Sequence, residues 1–93
     1  GTGHDTIAGG AGADVIYGGA GDDLIDQSSA GEGDNDTMFG DSGADTIFGH
    51  GGDDSLSGGD GNDELIGGDG SDTVVGGIGH DLIDFGSVSD TGN

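Results

Sequence analysis

Residues 58–84 read GGDGNDELI, GGDGSDTVV and GGIGHDLID, three nine-residue units in direct succession. Each runs Gly, Gly, variable, Gly, variable, Asp, variable, large apolar, variable. Self-similarity at so short a fixed period indicates a solenoid, because one unit cannot bury its apolar residue alone and stacks on its neighbours.

The register extends upstream to the first residue. Residues 1–8 (GTGHDTIA) lack only the first position, and 9–17 (GGAGADVIY) and 18–26 (GGAGDDLID) are complete. A four-residue insertion, QSSA at 27–30, then interrupts the spacing. Residues 31–39 (GEGDNDTMF) carry Glu32 and Asp34 where Gly is expected. Residues 40–48 and 49–57 lose only the second Gly, to Asp41 and His50. Downstream, Phe85 stands where the next Gly belongs, so 85–93 reads as a cap or the start of a following segment. The expected organisation is a repeat region over 1–84 with an insertion at 27–30, followed by 85–93.

Each unit has two physical parts. Gly tolerates positive φ and close backbone approach, so the first six positions form a tight turn. The last three carry Ile, Leu, Val, Thr, Phe and Tyr, which favour a pleated strand. A strand of about three residues is not stable alone and must stack at roughly 4.8 Å on others. Alternation then points the sixth and eighth positions inward and the seventh and ninth outward. The inward apolar set is Ile7, Ile16, Ile25, Met38, Ile47, Leu56, Leu65, Val74 and Ile83. The reading is all-β, with short parallel strands, glycine turns and no helix.

Composition states what this architecture lacks. The 93 residues carry a net charge of −20 with no Lys or Arg, and only 28% are hydrophobic. By composition alone such a chain is disordered. One apolar group per unit, worth roughly 1.5–3 kcal/mol, falls short of a backbone entropy cost of about 1–2 kcal/mol per residue. The missing stabilisation has to be positively charged and external. Nucleic acid and anionic lipid are excluded as partners, since both require cations on the protein. No apolar run approaches a membrane span, and no basic-plus-apolar signal segment is present. The absence of Cys removes disulfides and thiolate metal sites.

The nine units, five of them complete, resemble the RTX (repeats-in-toxin) nonapeptide of the parallel β-roll, a right-handed β-solenoid. The resemblance implies two units per coil, units alternating between two sheets, and like turns stacked two units apart. It implies Ca²⁺ between stacked turns, held by the sixth-position carboxylates Asp5, Asp14, Asp23, Asp36, Asp45, Asp54, Asp63, Asp72 and Asp81. Backbone carbonyls at the second position (Gly1, Gly10, Gly19, Gly59, Gly68, Gly77) and the fourth (Gly3, Gly12, Gly21, Gly43, Gly52, Gly61, Gly70, Gly79) complete the ligand set it implies. Calcium takes six to eight oxygens, which carboxylates and carbonyls supply. Nine turns make about seven stacked pairs, and seven ions would bring the charge from −20 to about −6. By the same resemblance, the chain is a calcium-binding structural module of a larger protein secreted through a bacterial type I system, folding outside the cell. The alternatives are the non-catalytic repeat region of a secreted hydrolase or epimerase, and a stalk segment of a surface adhesin or S-layer protein.

Departures from the repeat mark where the pattern is expected to bend. Asp34 in place of Gly predicts a distorted turn, with its ion missing or held by Asp34 or Glu32. The insertion is expected to bulge outward and leave the sheet alternation intact. Asp41 and His50 matter little if the second position offers only its carbonyl.

Enzymatic readings are weaker. His4 and His80 precede an Asp, and Asp22–Asp23 and Asp53–Asp54 pair carboxylates, but these fifth positions elsewhere hold Ala, Asn and Ser, as solvated turns do. No nucleophile elbow, zinc-protease helix or EF-hand loop occurs; counted from Asp60, Leu65 fills the EF-hand's obligatory Gly position. An ice-binding face of Thr6, Thr37, Thr46 and Thr73 is interrupted by Phe39, Phe48, Ser55 and Glu64. The outward residues Tyr17, Leu24, Phe39, Phe48, Ile66, Val75 and Leu82 would mark a docking surface for a neighbouring domain if contiguous.

Overall fold

The computed structural model describes residues 2–10, 12–26, 33–84 and 91–92. Among these there is no helix. The strands are β1 (Thr6–Ile7), β2 (Val15–Ala20), β3 (Leu24–Asp26), β4 (Thr37–Ser42), β5 (Thr46–Phe48), β6 (Ser55–Asp60), β7 (Glu64–Ile66), β8 (Thr73–Ile78), β9 (Leu82–Asp84) and β10 (Thr91–Gly92).

They form two parallel sheets, ordered β1-β3-β5-β7-β9 and β2-β4-β6-β8-β10. Consecutive units therefore alternate between sheets, giving a β-solenoid of the parallel β-roll type. Equivalent positions pair: Ile7 with Ile25, Ile25 with Ile47, Ile47 with Leu65, and Leu65 with Ile83. Alternation survives the insertion, since Val15 pairs with Thr37 and Leu24 with Thr46. Residues 27–30 themselves lie outside the described residues.

Between the sheets lies one apolar column. Ile16, Ile25, Met38, Ile47, Leu56, Leu65 and Val74 are buried, with Ile7 and Ile83 partly buried against them. These are the nine inward positions expected from strand alternation. On the same faces Asp23, Asp36, Asp45, Asp54, Asp63 and Asp72 are buried too. The interior is apolar at its centre and acidic along its turns.

Strand length departs from the uniform three residues expected. β3, β5, β7 and β9 have three, whereas β2, β4, β6 and β8 have six. The longer strands run on through the first three positions of the next turn, where Gly19 pairs with Asp41 and Gly59 with Gly77. Thr91 and Gly92 extend the second sheet by pairing with Thr73 and Val74. The rest of 85–93 lies outside the described residues.

Candidate metal centre

The turns stack in two rows, one on each side of the roll. The first row comprises the turns entering β1, β3, β5, β7 and β9; the second comprises those entering β2, β4, β6 and β8. The sixth-position aspartates repeat one contact along both. Asp23 Oδ1 accepts the Asp5 amide, Asp36 Oδ1 that of Asp14, and Asp45 Oδ1 that of Asp23, each at 2.8 Å. Asp54, Asp63, Asp72 and Asp81 accept in the same way from Asp36, Asp45, Asp54 and Asp63. Every such carboxylate thus spans the gap to the preceding coil.

The second oxygen is the chemically telling one. Oδ2 of Asp23, Asp45, Asp54 and Asp63 is buried with no hydrogen-bond partner. Burial pushes the carboxyl of Asp45 up to about 6 and that of Asp54 up to about 7, and raises Asp63 as well. The accepted backbone amide pulls each back down, and stacked aspartates push up again: Asp63 and Asp23 on Asp45, Asp72 and Asp36 on Asp54, and Asp81 on Asp63. A buried anion without a counter-charge is costly, and no Lys or Arg exists in the chain.

Carbonyls close the gap from both sides. A Cβ placed on Gly18 would meet the Gly40 oxygen at 2.8 Å, one on Gly40 the Gly58 oxygen at 2.7 Å, and one on Gly58 the Gly76 oxygen at 2.7 Å. First-position carbonyls therefore point back toward the preceding coil. Second- and fourth-position carbonyls point forward: Asp41 O faces Gly59, His50 O faces Gly68, Gly21 O faces Gly43, and Gly43 O faces Gly61. The second and fourth positions reverse direction through positive φ, which Gly adopts freely. Asp41 and His50 take the same conformation, at φ 75 and 69, so their carbonyls keep the expected orientation.

The ligand set implied by the resemblance does not include the first-position glycines, whose carbonyls also face these gaps. Among the described residues none of them takes positive φ. Gly is required there because Asp Oδ2 of the same turn and a carbonyl of the next coil occupy the space of a side chain. The signal was visible as Gly at this position in every full unit.

Residues 33–36 show the distortion expected from Asp34. Gly33, at the third position, carries φ 92, and Asp34 has no positive φ. Asp34 Oδ2 instead accepts the Gly12 amide at 2.8 Å, and its carbonyl still faces Gly52. Glu32 and Gly1 lie outside the described residues.

Fifth-position residues form a second ladder that sequence reading took for simple turn formers. Asp22 Oδ1 accepts from Ala44 N, Asn35 Oδ1 from Asp53 N, Asp53 Oδ1 from Ser71 N, and Asn62 Oδ1 from His80 N. Here the acceptor precedes its donor in the coil order, opposite to the sixth position. His4, His50 and His80 are exposed. His50 is nonetheless engaged, with Nε2 2.7 Å from Asp26 Oδ1.

The outward apolar residues do not share one face. Tyr17, Phe39 and Val75 stand on the β2-β4-β6-β8 sheet, with Tyr17 and Phe39 stacked at 5.0 Å. Leu24, Phe48, Ile66 and Leu82 stand on the other sheet. Among the described residues no group of three or more His, Cys, Asp or Glu side chains converges on a metal position. Each gap instead pairs stacked carboxylates with backbone carbonyls, an all-oxygen donor set suited to a hard cation. No helix of the described residues is long and apolar enough to cross a membrane.

A family model for the RTX calcium-binding nonapeptide repeat (4 copies) matches residues 1–26, 30–65 and 57–91. No curated protein and no solved structure gives a significant match.

Proposed function

Because the chain belongs to the RTX calcium-binding nonapeptide repeat family, we propose that it is a structural module, part of a larger type I-secreted protein, that folds when it meets calcium outside the cell. One observation carries the reading: buried Oδ2 atoms of Asp23, Asp45, Asp54 and Asp63 lack any partner, in a chain without a cationic side chain of its own except His. Bound calcium supplies the positive charge and takes six to eight oxygens at roughly 2.3–2.6 Å.

The ligands are the sixth-position carboxylates with first-, second- and fourth-position carbonyls of the facing turns, about one ion for each stacked pair. The carboxylates draw successive coils together, and the glycines keep the gap narrow enough for oxygens from both coils to reach one ion. Extracellular modules bind calcium with dissociation constants of about 10⁻⁴–10⁻³ M, far above the cytosolic free concentration. The chain therefore stays unfolded and threadable inside the cell and folds after export. Catalysis has no place in this account, which uses every buried carboxylate as a ligand.

Native mass spectrometry across a calcium titration tests it. Binding of about seven ions with a midpoint between 10⁻⁴ and 10⁻³ M is expected. A chain that folds at submicromolar free calcium would overturn the export-linked switch.

A further inference from the structure

We propose that the two rows of turns form two classes of calcium site, with the first row filling ahead of the second. The inference rests on the calcium reading above and adds an order to it.

The sheets treat the two rows differently. In the first row the strand ladder does not stop at the turn: β2, β4, β6 and β8 carry their pairing through its first three positions. The bonds then continue to the fourth position, where Gly21 N donates to Ser42 O, Gly43 N to Asp60 O and Gly61 N to Ile78 O. In the folded roll the carbonyls of turns 18–23, 40–45, 58–63 and 76–81 are thus held in register by backbone bonds as well as by any ion. In the second row the strands end at the ninth position, with Phe48 and Ile66. Turns 49–54 and 67–72 are joined at the backbone by Gly49 N to Ile66 O and Asp69 N to His50 O.

The irregularities also favour the first row. Asp34, with positive φ displaced to Gly33, lies in the second row, as does His50 in the left-handed region. The first row's one comparable departure is Asp41. A turn whose carbonyls are also aligned by backbone bonds formed on folding draws less of its ordering cost from the bound ion. Ordering about one further residue corresponds to roughly tenfold in the calcium midpoint.

Residue-resolved NMR of the ¹⁵N-labelled chain, titrated with calcium from excess chelator, tests the order. Gly43 and Gly61 report the first row; Gly52 and Gly70 report the second. The expected result is a first-row midpoint at about tenfold lower free calcium. Asp63→Asn, in the first row, should raise both midpoints, and Asp54→Asn, in the second, should raise only its own row's. A common midpoint for all four glycines, or the reverse order, overturns the two-class proposal while leaving calcium-driven folding intact. No calcium-dependent change at any of them overturns both.

Discussion

Asp45 takes the Asp23 amide on Oδ1 at 2.8 Å and holds Oδ2 against Gly40, buried and without a hydrogen-bond partner. One carboxylate thereby does two jobs: it fixes the spacing to the preceding coil and it presents an uncompensated charge to the gap. The first serves coil spacing with or without metal, and the second is the charge that a bound cation would offset. Separating the two is the most informative use of mutagenesis here.

Asp45→Asn retains the oxygen that accepts the Asp23 amide and removes the charge. In calcium the variant is expected to lose about 1.4 kcal/mol, the contribution of one ion at ten times its dissociation constant. In chelator it should be no less structured than the parent, because a buried negative charge has gone. Chemical denaturation in calcium and circular dichroism in chelator measure the pair of effects. An unchanged denaturation midpoint in calcium would mean the carboxylate acts only as a spacer.

Gly40→Ala tests the space at the first position. The backbone there accepts any residue, yet the added methyl would meet the Gly58 oxygen at 2.7 Å as well as Asp45 Oδ2. Overpacking of this kind costs about 1–3 kcal/mol. A raised calcium midpoint by circular dichroism is expected, whereas Ala13→Ser, at an exposed fifth position, should leave it unchanged.

Asp41→Gly should stabilise. Asp41 sits at φ 75, and Gly relieves up to about 1 kcal/mol of left-handed strain. The bond lost, from Gly19 N to Asp41 Oδ2, is long at 3.3 Å. Thermal unfolding in saturating calcium should show a higher midpoint for the variant.

Acid is expected to replace metal in part. The carboxyls of Asp45 and Asp54 are raised by burial from 3.8 to about 6 and about 7. A raised folded-state pKa means that the metal-free roll binds protons more tightly than the unfolded chain. That stabilisation is complete below about pH 4 and is lost as pH rises through 6 to 7. In chelator, strand signal should therefore appear on acidification and vanish over that window. In calcium the dependence reverses, because the ligands must be deprotonated to bind. A metal-free chain equally unstructured at pH 4 and pH 7.5 would contradict the raised values.

Much of this was legible from the repeat itself. A period of nine with one apolar and one Asp position per unit marks which side chains turn inward, and the resemblance to the RTX nonapeptide implied the stacking two units apart that sets Ile25 beside Ile47 and Asp23 beside Asp45. What one unit could not reveal were relations between coils. The Gly40 requirement depends on an oxygen from Gly58, eighteen residues away in sequence. The Asn35 and Asn62 ladder looks like local turn chemistry until the coils are stacked. The unequal strand lengths are likewise invisible in units that share one pattern, because the difference lies in how far the pairing continues into each turn.

The most direct test of the central claim, that external cations hold this acidic roll together at neutral pH, is far-ultraviolet circular dichroism in chelator, in magnesium and in calcium. Magnesium demands near-octahedral geometry and dehydrates reluctantly, so carbonyl-rich gaps should not accept it. The account expects an unfolded spectrum in chelator and in magnesium, and a strand spectrum only in calcium. A strand spectrum already present in chelator at pH 7.5 would contradict it.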